Sequence, residues 1–270
     1  MSAIIGCDRK IDREWLDALL DRVAVDFDVA SLRAFLRKSL RSRNLGKTAC
    51  RKSITVLMRI WFFVPPEHQA IRKDALGLLL AIPSQDRIWL HWGMTLLAYP
   101  VFRDTAAAIG RFLTLHGNFT LLQLQRRLIQ SWGDRSTLKR ASQRIVRSMV
   151  QWGVLADADV RGRFVPTVKH KTDCKALQLW FLEASQIAAS ASELESRQLI
   201  NLPTSFPFDI NVGLSDLRQS DHFIVHRQGL DMDMVSVRVG ILASPEPPRE
   251  GKFCRSELAG VSEEDDTMRE

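Results

Sequence analysis

The sequence lacks the short motifs that carry most enzyme chemistry. It contains no HExxH metal motif, no GxSxG nucleophile motif, no glycine-rich dinucleotide-binding loop and no paired-carboxylate motif. His222 and His226 are four residues apart, but the residues between them favour a strand, in which two such side chains lie too far apart to share a metal ion. We therefore predict a protein that is not an enzyme and has neither a cofactor nor a metal site.

Cysteine is scarce, and long apolar runs are missing. The four cysteines include no CxxC pair, which argues against a zinc ribbon and a disulfide framework and is typical of a reducing cytosol. The most apolar run, residues 54–64, contains Arg59 and is too short to span a bilayer. Residues 1–6 are followed by charge rather than by an apolar segment, so no signal peptide is expected. These features predict a cytoplasmic protein without a membrane partner.

Acidic residues are missing from one long stretch of the chain. Residues 29–66 contain nine lysines or arginines and no aspartate or glutamate. A second basic stretch, residues 103–171, contains thirteen basic and four acidic side chains, whereas residues 246–270 contain four basic and eight acidic ones. Two concentrated basic segments indicate a polyanionic ligand better than a diffuse positive charge does.

Residues 118–167 contain the most informative pattern. Thr120 is an expected N-cap for a first helix, and Ser136 is an expected N-cap for a second helix that runs from Thr137 to about Trp152. Gly153 follows at the position of a C-cap glycine, and two short strands around Gly162 complete the pattern. The apolar face of the second helix consists of Leu138, Ala141, Ile145, Met149 and Trp152. This succession predicts a winged helix-turn-helix.

The second helix of this unit has a polar and basic outer face. Hydroxyl, amide and guanidinium groups match base edges and phosphates, and a recognition helix reads the major groove mainly with its N-terminal half. The predicted DNA contacts on this helix are Ser136, Thr137, Lys139, Arg140, Gln143, Arg144 and Arg147. Arg161 and Arg163 in the predicted wing are expected to reach flanking phosphate. The alternative is a solvated basic helix over an ordinary helical core.

A second group of predicted DNA contacts lies in the acid-free stretch. Lys47, Arg51 and Lys52 lie near the start of a long amphipathic helix that ends at Pro65 and Pro66. The free amides and the macrodipole of a helix N-terminus attract phosphate. We expect these side chains to share one duplex with the winged helix, with a solvated helix face as the alternative.

Apolar spacing along the whole chain predicts a mainly α fold. It consists of a helical N-terminal region plus a winged helix-turn-helix, followed by a small α+β C-terminal module and an acidic disordered tail. The predicted boundaries are 12–117, 118–168, 169–240 and 244–270. Trp89, His91 and Trp92 are expected in the core of the helical region.

Local patterns add predictions at the two ends. Residues before Asp12 are expected to form a loose end. The C-terminal module is expected to contain helices at 174–189 and 194–202, a strand at 206–210, and a hairpin formed by 222–227 and 232–239.

Three stretches resemble BrxA, the small helical DNA-binding component of BREX phage-defence systems. They are the basic helix from Thr48 to Ile60, the helix from Asp74 to Ile82, and the segment from Ser136 to Asp157. The resemblance covers roughly residues 29–168 and does not extend to the residues that follow. It implies a non-enzymatic cytoplasmic protein that binds double-stranded DNA and works alongside larger defence-system subunits, as a component or regulator.

These observations favour a non-catalytic double-stranded DNA-binding protein whose binding depends on DNA sequence or structure. Two alternatives remain open at this point. One is an interaction scaffold whose winged helix binds a partner protein. The other is an RNA-binding helical domain, although the basic segments contain few aromatic side chains on which bases could stack.

Overall fold

The computed structural model describes residues 5–25, 28–41, 45–229 and 232–238, and these residues are mainly helical. The helices are α1 (Arg13–Val23), α2 (Val29–Arg41), α3 (Lys47–Trp61), α4 (Gln69–Leu78), α5 (Arg87–Ala98), α6 (Pro100–His116), α7 (Leu121–Trp132), α8 (Ser136–Gln151), α9 (Lys175–Ala188), α10 (Ser196–Ile200) and α11 (Leu214–Gln219). The strands are β1 (Phe119–Thr120), β2 (Leu155–Asp157), β3 (Arg163–Pro166), β4 (Leu194–Glu195), β5 (Phe223–Gln228) and β6 (Met232–Val237). The predicted tail at 244–270 lies outside the described residues. Among the described helices, none has both the length and the apolar composition needed to cross a bilayer.

Helix α5 lies inside the main hydrophobic core. Its residues 88–97 are all buried, and it contacts α3, α6 and α9. Trp89 packs edge-on against Phe181 of α9 with ring centroids 5.3 Å apart, and Trp92 packs against Phe102 of α6 at 5.0 Å. A helix that is apolar around most of its circumference is stable in water only when other elements surround it. The prediction that Trp89, His91 and Trp92 are core residues is therefore confirmed.

The chain from α6 to β3 combines three helices with a small antiparallel sheet. The strands lie in the order β1-β3-β2, and the paired residues Phe119 and Phe164 stack with ring centroids 5.4 Å apart. Thr120 caps α7 as predicted, since its Oγ1 accepts a hydrogen bond from the Gln123 amide at 3.2 Å. In return, Oε1 of Gln123 accepts a hydrogen bond from the Thr120 amide at 2.8 Å. This reciprocal capping box fixes the residue at which α7 begins.

The end of α8 is set by Gly153, as predicted. Gly153 has a φ of 75°, and its N–H donates to the Val150 carbonyl at 3.1 Å. The N–H of Val154 donates to the Met149 carbonyl at 3.0 Å. These two bonds form a Schellman motif, which satisfies carbonyls at the helix end and turns the chain into β2.

The C-terminal segment forms a second three-stranded antiparallel sheet, in the order β4-β6-β5. The predicted hairpin is confirmed, with Val225 opposite Val235. The helix predicted at 194–202 begins later, because Leu194 and Glu195 pair with β6 as a strand. The strand predicted at 206–210 is wrong. Phe208 makes one isolated bridge to His170 within the described residues, and its ring packs in the core.

The expectation of a loose end before Asp12 is also wrong for residues 5–11. Ile5, Cys7 and Ile11 are buried, and burial raises the pKa of the Cys7 thiol to about 12, with a further contribution from the charge of Asp8. The Ile11 amide donates to Oγ of Ser148 at 2.8 Å. These contacts attach the N-terminal segment to α8, a partner far away in sequence.

One hydrophobic cluster contains residues from all three predicted structured domains. Leu57 of α3, Leu138 of α8 and Trp180 of α9 belong to it. A smaller cluster lies under the C-terminal sheet and includes Leu182, Phe223 and Val235. The predicted boundaries at 12–117, 118–168 and 169–240 stay a prediction.

Candidate nucleic-acid interface

Helix α8 separates its apolar and polar side chains as its sequence predicts. Leu138, Ala141, Ile145, Met149 and Trp152, the predicted apolar set, are all buried. The predicted DNA-contacting side chains on the other face, Ser136, Thr137, Lys139, Arg140, Gln143, Arg144 and Arg147, are all exposed. The buried face fixes the helix against the core, so the exposed face is available to a ligand without rearrangement of the fold.

The start of α8 differs from the prediction by one residue. Arg135 occupies the N-cap position in an extended conformation, and Ser136 is the first helical residue rather than the cap. The Arg135 side chain makes no capping bond; its guanidinium instead donates to the carbonyl of Trp132 at 2.7 Å. This bond holds the turn between α7 and α8. The first amides of α8 consequently have no side-chain cap.

The cations of α8 fall into two groups according to their partners. Lys139 Nζ lies 2.8 Å from Asp134, and Arg147 Nη1 donates to both carboxylate oxygens of Asp157 at 2.9 and 2.7 Å. In contrast, the side chains of Arg140 and Arg144 have no hydrogen-bond or ion-pair partner among residues 5–25, 28–41, 45–229 and 232–238. An unpaired guanidinium can bind phosphate or guanine without first giving up an ion pair.

Arg147 is held in place on both sides. Besides its bonds to Asp157 on β2, its guanidinium lies over the ring of Phe164, 5.2 Å from the centroid. Phe164 is on β3, so this side chain joins α8 to both strands that follow it. Such a contact positions the β2–β3 loop. The carboxylate of Asp157 also neutralises the positive charge of Arg147, one of the predicted DNA contacts.

Two exposed arginines lie where the β2–β3 loop meets β3: Arg161 is in the loop, and Arg163 is the first residue of β3. Arg161 and Arg163 flank Gly162, whose φ of 80° permits the tight turn. Arg163 pairs with Thr120 across β1 and β3, and its Nη1 donates to Oδ1 of Asn118 at 3.0 Å. Arg161 therefore lies at the loop tip, whereas Arg163 is tied to the sheet.

A cleft brings the second basic segment close to α8. Arg144 lines it from α8, and Ala49 and Ser53 line it from the start of α3. The N-terminal segment forms another wall through Arg9 and Lys10. The start of α3 and the middle of α8 thus line the same cleft, although they are about ninety residues apart in sequence.

The three predicted contacts on α3 do not share one direction. Successive helical residues turn by about 100°, so Lys52 lies about 60° from Ala49, on the flank that borders the cleft. Lys47 and Arg51 lie about 160° from Ala49 by the same geometry and point away from the cleft. Lys47 and Arg51 are exposed, and Lys52 is half-buried. Lys52 is therefore the α3 cation closest to the Arg144 side of the molecule.

Sequence patterns missed two basic residues near the interface. Arg9 and Lys10 belong to the segment that was expected to be loose, and they line the cleft with Arg144. Their position depends on the hydrogen bond between the Ile11 amide and Ser148, together with a bond of 2.9 Å from Trp152 Nε1 to the Ile11 carbonyl. Ser148 is one of two serines on the buried face of α8, together with Ser142, and it was the local signal of this contact.

Two histidines lie in hydrogen-bonded pairs away from α8. His91 is fully buried and lies 2.9 Å from Oδ1 of Asp17; burial lowers its pKa despite the opposing effect of that carboxylate. His222 lies 2.6 Å from Glu183, and this hydrogen bond raises its pKa. Both pairs connect secondary-structure elements, α5 to α1 and the β5 region to α9.

The candidate interface therefore consists of three parts: the exposed face of α8, the loop between β2 and β3, and the start of α3. Comparisons of the chain with protein-family models, with curated proteins and with solved structures find no match.

Proposed function

We propose that residues 100–166 form a winged helix-turn-helix and that the protein binds double-stranded DNA through it. The order α6-β1-α7-α8-β2-β3 and the strand order β1-β3-β2 support this proposal, because a helix-turn-helix followed by a hairpin places its second helix on an exposed surface. In this arrangement α8 is the recognition helix and the β2–β3 loop is the wing.

The observation that carries the proposal is the unpaired cationic group on α8. Arg140, Gln143 and Arg144 occupy consecutive positions of one exposed face. Arginine binds guanine through O6 and N7, and glutamine binds adenine through N6 and N7, each with two hydrogen bonds. These three side chains are therefore the proposed base contacts. Ser136, Thr137 and the uncapped first amides of α8 are proposed phosphate contacts.

Helices α7 and α8 are held together in a way that suits this role. Nε2 of Gln125 donates to the Lys139 carbonyl at 3.1 Å and lies 3.4 Å from Oγ of Ser142. In helix-turn-helix proteins the first helix contacts the DNA backbone. Arg126 on α7 is exposed and has no partner among the described residues, so we assign it to the phosphate backbone.

The test compares a variant of the recognition helix with a charge-matched control. We expect Arg140→Ala together with Arg144→Ala to melt near the wild-type temperature and to lose about 1–3 kcal/mol of binding free energy for each base contact. The control is Lys73→Ala with Arg197→Ala, which removes the same charge from exposed positions outside residues 100–166. Binding is measured by fluorescence anisotropy with duplex DNA, single-stranded DNA and RNA.

The outcome that contradicts the proposal is equal affinity of the two folded variants for duplex DNA. Preference for RNA or single strands would favour the RNA-binding alternative. Absence of binding by the wild type to all three nucleic acids, at low salt, would favour a protein-binding scaffold.

We further propose that the start of α3 contacts the same duplex. The cleft that joins Arg144 with Ala49 and Ser53 supports this, because it brings α3 beside the recognition helix. Of the α3 cations, Lys52 lies on the flank that borders the cleft, whereas Lys47 and Arg51 point away from it. Removing the side chains of Lys47, Arg51 and Lys52 together should therefore reduce the slope of log affinity against log salt by about 0.9, the value for one lost phosphate contact. Sequence preference should persist, since phosphate contacts carry no base information. An unchanged slope in the triple variant would assign these residues to a solvated face.

The cellular role of this DNA binding can be inferred from the resemblance to BrxA. That resemblance stays a prediction. On that basis we propose phage defence as the cellular role and larger defence subunits as protein partners. Co-purification of the tagged protein from its host, before and after nuclease treatment, tests this; recovery of no subunit of a defence system would contradict it.

A further inference from the structure

The cleft beside Arg144 has the size and lining of a small-molecule site. Its volume is about 340 Å³, near the lower end of the range of about 300–1,000 Å³ that is typical of ligand pockets. Trp15 and Leu45 provide apolar surface, while Arg9, Lys10 and Arg144 provide positive charge. An apolar wall beside several cations is the combination that an organic anion requires.

The charges in the cleft are unbalanced. Three cations face one carboxylate, Asp12, whose Oδ1 forms an ion pair with Lys10 Nζ at 3.1 Å but accepts no hydrogen bond among the described residues. Arg9 Nε is 3.9 Å from Asp8, too far for a hydrogen bond, and the Arg144 side chain has no partner in the described part of the chain. Two guanidinium groups in the same cleft therefore lack a close acceptor.

Two buried donors in the lining also lack acceptors. Nε1 of Trp15 and Nε of Arg9 are shielded from solvent and make no hydrogen bond among the described residues. Trp15 is only 6% exposed, so bulk water does not satisfy its indole N–H. Buried polar groups without partners are rare in native proteins, and an absent ion or ligand is one of the recognised explanations.

We propose that this cleft binds a small organic phosphate, of mononucleotide size at most. Guanidinium groups bind phosphate with pairs of parallel hydrogen bonds, which suits Arg9 and Arg144, and Lys10 adds a compact positive charge. Trp15 and Leu45 cover the organic part of the ligand. A duplex is too wide to enter a depression of this volume and would reach only its rim.

The ligand regulates DNA binding through Arg144, which belongs to both sites; this part rests on the proposed function. A bound phosphate draws the Arg144 guanidinium into the cleft and neutralises it, so that the recognition helix loses one base contact. Because the coupling between two binding sites is reciprocal, DNA weakens binding of the phosphate by the same factor.

Binding to the cleft is tested by isothermal titration with adenosine 5′-monophosphate, inorganic phosphate and uncharged adenosine at constant ionic strength. We expect saturable binding of the monophosphate, weaker binding of inorganic phosphate and none of adenosine. Arg9→Ala and the more exposed Lys10→Ala should each weaken binding of the monophosphate by about tenfold or more, and Lys73→Ala should leave it unchanged. Absence of saturable binding, or equal affinities for wild type and both cleft variants, would overturn the proposal.

Duplex DNA provides the second part of the experiment. Adenosine 5′-monophosphate should weaken DNA binding by the wild type and have little effect on Arg9→Ala, which keeps the recognition helix intact. If the wild type binds the monophosphate but no duplex, the DNA-binding proposal fails and the cleft proposal stands. If the monophosphate does not bind and Arg9→Ala instead lowers the salt slope of duplex binding by about one, the cleft is a contact for the DNA backbone and the inference is wrong.

Discussion

Replacing His91 by leucine tests whether a buried hydrogen-bonded network holds the N-terminal helices together. Trp61 of α3 donates through Nε1 to Nδ1 of His91 at 3.1 Å. The proton of the neutral ring is therefore on Nε2, which donates to Oδ1 of Asp17 on α1 at 2.9 Å. Leucine has a similar volume but removes the acceptor for Trp61 and the donor for Asp17 together. We expect the variant to fold and to be less stable.

The magnitude follows from the burial of each partner. Trp61 is fully buried, so its orphaned N–H costs about 1–3 kcal/mol of the free energy of unfolding. The side chain of Asp17 is 28% exposed, and water replaces part of its lost bond, which leaves a smaller cost of about 1 kcal/mol. The total of roughly 2–4 kcal/mol corresponds to a fall in melting temperature of about 4–16 °C for a domain of this size.

A double-mutant cycle separates the Trp61 contribution from the loss of packing. Trp61→Phe removes the same ring volume in the wild type and in His91→Leu, but only in the wild type does it break the hydrogen bond. The coupling free energy from urea unfolding should be about 1–3 kcal/mol. His91→Gln provides the control for Asp17, because its amide can still donate to that carboxylate. A coupling within about 0.5 kcal/mol of zero would refute this account of the network.

The same network predicts a dependence on pH. Burial lowers the pKa of His91 in the folded state, so the unfolded chain binds the proton first as the pH falls through the ordinary histidine value of about 6.5. Stability is thus lost on acidification below that value. The His91→Leu variant should show a shallower loss between pH 7 and pH 5. His68 and His170, whose pKa values burial also lowers, contribute to the remaining slope, and His222, whose pKa is raised, contributes in the opposite direction. An equal slope in wild type and variant would show that His91 does not titrate in this range.

Three further substitutions test other parts of the fold. Gly110→Ala should lower the unfolding midpoint strongly in urea, because a Cβ there would lie 2.0 Å from the backbone carbonyl oxygen of Pro203; an unchanged midpoint would contradict this packing of α6. Gly153→Val should lower the free energy of unfolding by roughly 1–2 kcal/mol through left-handed backbone strain alone, since no heavy atom lies within 4 Å of a Cβ at this position. Gly153→Asn should lower it less, and equal melting temperatures of the wild type and both variants would place the helix end elsewhere. His222→Gln should destabilise the fold most near pH 5–6 and less at higher pH, because the hydrogen bond to Glu183 raises the pKa of His222 and the stability from this pair is lost as the pH rises through that raised value. A stability difference between variant and wild type that does not vary with pH would argue against a charged pair.

Features of the fold that depend on neighbouring residues could be predicted from the sequence. The capping box of Thr120 and Gln123 spans three residues, and the left-handed end at Gly153 depends on the one residue type that adopts positive φ freely. The hairpin between β5 and β6 follows from alternating valines around a turn. These signals are local, so tertiary contacts only reinforce them.

Features that depend on a distant partner could not be predicted. Phe208 lies in an apolar stretch that resembles a strand, but its ring packs 4.2 Å from Trp89 and 4.7 Å from Phe181, measured between centroids. Within the described residues the segment pairs with other backbone through one isolated bridge, between Phe208 and His170. Residues 5–11 resemble a free terminus until Ser148 provides an acceptor for the Ile11 amide. In both cases tertiary packing overrides what the local pattern favours.

The candidate site divides in the same way. Helical spacing predicts that Arg140 and Arg144 are exposed and that Ile145, on the opposite face of α8, is buried. The pairing of Arg147 with Asp157 depends on where β2 returns against α8, and sequence spacing gives no sign of it. Helical periodicity therefore predicts which cations are exposed, while only the fold determines which of them are already paired.

That distinction separates two roles on α8. Arg147 and Lys139 are engaged with carboxylates, so their removal changes the loop and the helix start that the pairs position. Arg140 and Arg144 hold no such partner among the described residues, and their removal leaves the packing of the helix unchanged. Exposed ion pairs contribute about 0–1 kcal/mol to stability, so none of these cations is needed to keep α8 in place. The buried face of α8 does that, together with the hydrogen bond that Ser148 accepts from the Ile11 amide and the one that Trp152 donates to the Ile11 carbonyl. The unpaired guanidinium groups are therefore free for a ligand.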